Sequence, residues 1–197
     1  MSALHTVSDL RRVLHDHPGK ALPAATAATR TFAAVAAVLR DSAEGVQVLL
    51  IRRSDREGDP WSGHMALPGG RHDPEDRDLL HTAVRETSEE LGLTLADHHL
   101  IGPLDDLEAV ARGRRVGMVI RPYVFHWSSP DLPALQPNHE VAEALWAPLL
   151  PIHRGERDTH RSYEMGGQTY KLPAWDVQGR IVWGLTHRIL SDLLERI

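Results

Sequence analysis

Cysteine is absent from all 197 residues. That removes disulfides, thiolate zinc sites and cysteine nucleophiles together, and it is compatible with a reducing compartment. Long apolar runs are also missing: no stretch approaches the ~20 residues that a membrane-spanning helix needs. The first twelve residues carry Asp9 and contain no apolar core of signal-peptide length. A cytoplasmic protein with no membrane association is the expectation. The third absence is an excess of positive charge. Lys and Arg number 22 against 27 Asp and Glu, a net charge of -5 at pH 7. This argues against a protein that coats a nucleic acid polymer, so an anionic substrate has to be met locally, by a cation or a few arginines.

What is present is the composition of an ordinary folded domain, 42% hydrophobic and 25% charged, in a chain long enough for one medium domain. Ser8-Asp9 followed by Leu10, Val13 and Leu14 predicts a short N-terminal helix that Pro18-Gly19 ends, and the Ala/Pro-rich stretch from Ala21 to Ala28 reads as a connector. The alanine-rich segment from Thr31 to Leu39 leaves helix and strand both open. The turn chemistry of residues 41–45, followed by Val46 to Ile51, makes a hairpin the better reading. Ser54 to Ala66 is a loop, which Leu67-Pro68-Gly69-Gly70 closes with a forced bend. From Asp78 to Leu91 the pattern is helical, with Leu80, Ala83, Val84, Thr87 and Leu91 on one face, and Gly92 ends it.

Further strands are expected over 104–110 and 116–127 around Arg112-Gly113-Arg114-Arg115, and at Ala144-Leu145-Trp146. A hairpin is centred on Gly166-Gly167, and a final helix runs from about Thr186 to Arg196. Strands and helices mix without βαβ alternation, which suggests an α/β sandwich and not a doubly wound sheet. No internal repeat or dividing linker is visible.

The chemistry-bearing feature is the segment Arg85-Glu86-Thr87-Ser88-Glu89-Glu90. On a helix, positions three and four apart face the same way, so Glu86, Glu89 and Glu90 form an acidic cluster, turned away from the apolar face. Such like charges repel unless a divalent cation offsets them. Hard oxygen donors, including a backbone carbonyl exposed at Gly70, favour Mg²⁺ or Mn²⁺ over Zn²⁺. Thirteen histidines are present, but His15/His17, His98/His99 and His153/His160 lack a persuasive ligand set and no His-Glu-x-x-His occurs.

Gly70, Arg85-Glu86, Glu89-Glu90, Gly92 and Leu93 resemble the Nudix box, Gly-x5-Glu-x7-Arg-Glu-U-x-Glu-Glu-x-Gly-U. Three departures accompany the match. The Gly70 to Arg85 interval is one residue longer, Asp76 stands where the first Glu is expected, and Thr87 replaces the aliphatic residue U. The text from Leu67 to Asp73, Asp76, and Thr82 to Glu86 resembles the coenzyme A pyrophosphatase-like branch. So do Leu49-Leu50-Ile51-Arg52-Arg53-Ser54 and Ile181-Val182-Trp183-Gly184-Leu185-Thr186, which extends the resemblance over about residues 31 to 195. In the upstream motif Ile51 replaces a usual Thr, and residues 55–63 do not keep the usual arginine and glycine spacing.

The resemblance implies an α+β fold, an α/β/α sandwich about a mixed central sheet, with an N-terminal helix and connector over 1–23 and the Nudix domain over 24–197. It implies a hydrolase that cuts the diphosphate of a nucleoside diphosphate derivative, with coenzyme A or acyl-CoA as the first candidate. The alternatives are a hydrolase of nucleoside triphosphates, dinucleoside polyphosphates or ADP-ribose, and a non-catalytic nucleotide sensor.

Carried onto matching positions, Glu86, Glu89 and Glu90 are the metal carboxylates, the Gly70 carbonyl is a further ligand, and Mg²⁺ (or Mn²⁺) is the cofactor. Arg85 orients a helix carboxylate, and Glu86 also assists proton removal. A late-loop carboxylate is expected from Glu140, favoured over Glu143. Arg52 and Arg53 point to opposite faces of a strand end, Arg53 being the better phosphate clamp. Trp61 and His64 are the candidate contacts for a base or pantetheine, against simple packing. A homodimer built through the N-terminal helix is the remaining partner expectation.

Overall fold

The protein was analysed as a computed structural model that describes residues 6–16, 19–22, 31–111 and 113–196. His17, Pro18, most of the connector after Ala21, the boundary expected after residue 23, and Arg112 lie outside the described residues.

The alanine-rich segment is a strand, β1 (Thr31–Ser42), and a two-residue turn joins it to β2 (Gly45–Arg53). The small side chains suit a strand covered on both faces. Ala34, Ala36 and Val38 enter one apolar layer, and Ala37 and Leu39 enter the other. β1 therefore lies in the middle of the molecule. It pairs in parallel with β7 (Arg114–His126) from Thr31↔Met118 to Leu39↔His126, and antiparallel with β2 from Leu39↔Val48 to the turn. Beyond Leu39 the edge that faces β2 is taken over by β4 (Gly69–Arg71), with Val35 opposite Gly69 and Ala34 opposite Gly70. β2 continues outward to pair with β3 (Met65–Ala66) and β8 (Val141–Pro148). β7 carries β5 (Leu100–Pro103) and β6 (Leu107–Ala111) on its far side. The result is a mixed eight-stranded sheet.

Helix α1 (Val7–Asp16) and helix α4 (Gly184–Glu195) cover one face. Val7, Leu10 and Leu14 share a core with Ile189, Leu190 and Leu193. Helix α2 (Leu79–Leu91) covers the other face through Ala83 and Leu91 against Leu49, Ile51 and Phe125. After the short helix α3 (Leu149–His153) comes a second, antiparallel sheet of β9 (Asp158–Met165), β10 (Gln168–Val177) and β11 (Arg180–Trp183). Thr186 of α4 donates its hydroxyl to the Met65 carbonyl at 2.9 Å, which ties this last unit to β3. The expected α/β/α sandwich about a mixed sheet is the observed architecture.

Two sequence expectations change. Residues 104–110, read as one strand, divide into an irregular connection over 104–106 and β6, preceded by β5. The bend expected at Leu67-Pro68-Gly69-Gly70 is present at Pro68, but the two glycines run on into strand β4. Its glycines answer a close approach: Gly69 has φ 147°, and a Cβ there would stand 2.3 Å from the Ala34 carbonyl oxygen of β1. Gly69→Ala is accordingly expected to cost on the order of 2–4 kcal/mol through positive φ and steric overlap. Chemical denaturation measures this, and a loss below ~0.5 kcal/mol, the level of an ordinary surface change, would contradict the account.

Candidate active site

Helix α2 starts at Asp78, whose side chain accepts the His81 N–H at 2.8 Å. It ends at Gly92, in a left-handed conformation, with its N–H on Ser88 O. Thr87, the position where an aliphatic residue was expected, is fully buried and returns its hydroxyl to Ala83 O at 2.7 Å, so no donor is stranded. The three acids of the cluster, turned from the apolar face on the helical wheel, differ widely in exposure. The Glu89 side chain is 56% exposed and that of Glu86 17%, whereas Glu90 is 2% exposed. The helix lies so flat against β4 that the Glu90 edge becomes interior.

A buried ionic knot sets the helix in place. Asp76 receives Arg85 Nε on one oxygen and Nη2 on the other, both at 2.9 Å, together with the Thr82 hydroxyl at 2.8 Å and the Asp73 N–H at 3.1 Å. The Arg85 hydrogen bonds are the main reason that the Asp76 carboxyl lies far below the usual carboxylate range, burial acting in the opposite sense. Arg85 then reaches Glu86 at 3.0 Å and Glu89 at 3.1 Å through Nη1, and the Arg71 carbonyl of β4 at 3.2 Å through Nη2. Asp76 is thus the anchor of Arg85, and Arg85 orients two glutamates instead of the one foreseen.

Glu90 accepts the Gly69 N–H at 2.9 Å. Burial pushes its carboxyl up to about 8, and Glu86 and Glu140 push the same way, while the Gly69 N–H and Arg53 oppose them. Burial likewise raises Glu86, against Arg85. At Gly70 a Cβ would meet the Glu86 carboxylate at 2.5–2.6 Å, so glycine is what lets this acid lie against the strand.

Glu140 comes from a loop docked on the end of α2. The N–H groups of Gln136 and Asn138 bond to the carbonyls of Leu91 and Glu90 at 2.7 and 2.9 Å, and Ser54 N–H bonds to Glu140 O at 2.8 Å. These contacts put the Glu140 side chain in the same cavity as Glu86 and Glu90. Glu143 points elsewhere, into an ion pair with Arg180 and toward Arg52 at 4.0 Å.

The cavity measures about 720 Å³, within the range of small-molecule sites. Glu86, Glu90, Glu140 and Arg53 line it. So do Trp61, Met118, Ile120, Leu185 and Ile189, the first four of which belong to one apolar cluster. Arg53 lines it and Arg52 does not. Trp61 also packs beside Ala33, Met118 and Ile120, and His64 lies 4.8 Å from the Trp183 ring. Burial, with Arg161 nearby, lowers the His64 pKa.

The structure thus gathers Gly70, Glu86, Glu90, Glu140, Arg53, Trp61 and His64. It leaves Glu89 and Arg85 beside the cavity and Arg52 outside it. Among the described residues no three His, Asp or Glu side chains are grouped closely enough to hold a metal ion by themselves. Among the lining residues without a sequence-based role are Asp59, which pairs with Arg53 at 3.0 Å, and Trp183, whose only signal was its place in the C-terminal segment.

Because the Asp76 carboxyl titrates below its unfolded value, near ~4, its contribution to stability is complete above that value. It is lost as pH falls through the lower native range. Asp76→Asn should destabilise the protein by about 2–3 kcal/mol at neutral pH, the range for charge-assisted bonds to a buried acceptor. The gap should narrow once pH drops below ~4. Thermal melts of both proteins across pH 3–8 would show it, and a gap that widened in acid would refute the assignment.

A family model, the NUDIX domain, matches residues 30–164. The mitochondrial coenzyme A diphosphatase NUDT8 of Mus musculus is 35% identical over 177 residues, 87% of this chain and 81% of its own length. The Homo sapiens protein of the same name is 35% identical over 88% of this chain and 74% of its own. Among solved structures, the NUDIX domain of Shewanella oneidensis NrtR, complexed with ADP ribose, superposes with a TM-score of 0.57 at 20% identity. That match covers 85% of this chain and 88% of the other. A MutT/nudix family protein from Enterococcus faecalis gives 0.59 at 16% identity, over 97% and 69%. With the family model spanning more than half of the chain, the protein belongs to the Nudix family and is a hydrolase of phosphorus-containing anhydrides.

Proposed function

We propose that this protein is a Mg²⁺-dependent pyrophosphohydrolase that cleaves the diphosphate of a nucleoside diphosphate derivative, with coenzyme A or an acyl derivative as the preferred substrate. The observation that carries the reading is one cavity lined both by three carboxylates and an arginine and by an apolar cluster of Trp61, Met118, Ile120 and Leu185. A nucleotide joined through a diphosphate to a long, weakly polar arm presents both kinds of surface. The relatives named coenzyme A diphosphatase, alike over most of the chain, support the choice of arm.

The residues fit a hard divalent cation. Glu90 is a buried acid whose one hydrogen bond is to a backbone amide, and a proton or a cation is what relieves its burial. Glu86 and Glu140 stand near enough to raise it further, and the cleft at Gly70 keeps the Glu86 carboxylate against the strand. An open set of oxygen donors suits Mg²⁺, which takes a few carboxylates and completes its shell with water and phosphate. Glu86, Glu90, Glu140 and the Gly70 carbonyl would hold it; Glu89, drawn to Arg85, lies farther out. When bound, the cation neutralises phosphate oxygens and acidifies water.

The chain supplies the rest. Arg53 binds a diphosphate oxygen, and Arg85 keeps Glu86 in orientation. Glu140 or Glu86 accepts the proton of a water that attacks one phosphorus. A new P–O bond forms, the bridging P–O bond breaks, and two phosphomonoesters leave. With coenzyme A these are phosphopantetheine and adenosine bisphosphate. Trp61 and His64 line the space for the organic part of the substrate.

Incubation with coenzyme A, ADP-ribose, a dinucleoside polyphosphate and a nucleoside triphosphate in Mg²⁺, with products identified by mass, tests the substrate. Coenzyme A left intact while another member is cut would sink that choice, and no cleavage of any with ligand binding retained would favour a sensor. Glu86→Gln and Glu90→Gln are expected to lower kcat/KM by about 10²–10⁴, as for groups that act on the reacting centre. Glu89→Gln should cost at least about tenfold less, as it lies outside the cavity. Circular dichroism confirms folding, and equal losses at all three positions would contradict the geometry.

A further inference from the structure

The loop from Asp55 to Gly63 is where this chain leaves the arginine and glycine spacing of the proteins it resembles, and it contains an acid that the reaction does not call for. Arg53 ends β2 at a register shift in the β2–β8 ladder, and its own N–H is fixed to His64 O at 3.0 Å. Its guanidinium reaches Asp59 through Nη2 at 3.0 Å, while the second oxygen of Asp59 accepts the Trp61 N–H at 2.9 Å. Both partners are largely covered, the Asp59 side chain being 14% exposed. Burial opposes the Asp59 charge, yet the Trp61 amide and Arg53 outweigh it and keep the carboxyl below its ordinary range. This is not the exposed pair of two long side chains whose net worth is close to nothing.

Two observations give the pair a task beyond holding the loop. Arg53 Nε is buried with no hydrogen-bond partner among the described residues, although the residue lines the cavity. A donor stranded in this way is destabilising, and an anion bound there would offset that. In addition, Arg53 is close enough to influence Glu90. Without a carboxylate of its own, the guanidinium would be drawn toward Glu90 and Glu140. That would neutralise the acids proposed to hold the cation and spend the donors meant for substrate.

We infer that Asp59 is a positioning residue for substrate binding: it holds Arg53 by one nitrogen, away from the cavity carboxylates, so that the remaining guanidinium donors are free for a diphosphate oxygen. Through its other oxygen the same carboxylate fixes the backbone of Trp61, so the phosphate clamp and the apolar wall are set by one side chain. The inference rests on the pyrophosphohydrolase reading.

Calorimetric binding of α,β-methylene-ADP, a non-hydrolysable diphosphonate, in Mg²⁺ tests it, together with turnover of the best substrate from the panel. Asp59→Ala should weaken probe binding about tenfold, equivalent to one charge-assisted bond, and raise KM similarly with kcat changed less than about threefold. Asp59→Asn keeps an acceptor for Trp61 N–H and so preserves the loop, yet it should behave like the alanine variant. On an Arg53→Ala background both substitutions should be without further effect on probe binding, since coupled residues are non-additive. Asparagine equal to the parent, tighter binding in either variant, the same loss on the Arg53→Ala background, or a parent that does not bind the probe would each overturn the proposal. A parent that binds the probe in an Asp59-dependent way but cuts no diphosphate would leave the inference standing and refute the proposed reaction.

Discussion

The contact between helix α2 and strand β4 is the constraint on which the site depends. Glu90 is brought under the sheet edge, where the Gly69 amide is its hydrogen-bond partner, and Glu86 is laid on Gly70 in space that a methyl group would fill. The Glu86 contact requires strand and helix to approach more closely than a side chain at 70 would allow, while the bare Gly69 lets β4 lie against β1. A carboxyl so deeply covered is destabilising when charged, by the same desolvation that lifts its pKa. The fold tolerates it because the rest of α2 is well anchored, through Ala83, Thr87 and Leu91 in the core and through the Asp76–Arg85 knot beside them.

From that contact the remaining functional groups are placed by backbone, not by side-chain reach. The loop before β8 hangs from the last carbonyls of α2 and from Ser54, so the position of Glu140 follows that of Glu90. Arg53 is delivered by the end of β2, where the strand has diverged from β1 and turned toward β3 and β8. The apolar wall draws on β7, the 55–64 loop and the start of α4. Acids and arginine thus come from α2, the loop before β8 and the end of β2, while the apolar lining comes from elements that close over them only in the folded chain.

Much of this was legible in the sequence because it is local. The start of the carboxylate helix near Asp78, its stop at Gly92, the hairpin turn before Gly45 and the apolar stripe of α4 each depend on a few neighbouring residues. The spacing of Arg85, Glu86, Glu89 and Glu90 is likewise a property of one helix. Periodicity failed where an element is judged by what lies across from it. Helical angles group Glu90 with Glu86 and Glu89, because they contain nothing about β4. Gly69-Gly70 looked like part of the bend at Pro68 because glycine in a strand is unusual unless another backbone comes close, and the backbone in question, that of Ala34 and Val35, is over thirty positions earlier.

The sequence by itself determined the family, the α/β/α class and the acids that mark a diphosphate hydrolase, since these are written in contiguous motifs whose spacing is fixed by the helical repeat. Only the tertiary structure decided how those acids divide. Glu90 is buried, Glu86 lines the cavity, and Glu89 pairs with Arg85 outside the lining. It also separated Glu140 from Glu143 and Arg53 from Arg52, and it showed that Asp76 anchors Arg85. The physical reason is the same throughout. Burial and electrostatic coupling are properties of groups distant in sequence, and they exist only once β4, β8 and the 55–64 loop have closed around the carboxylate helix.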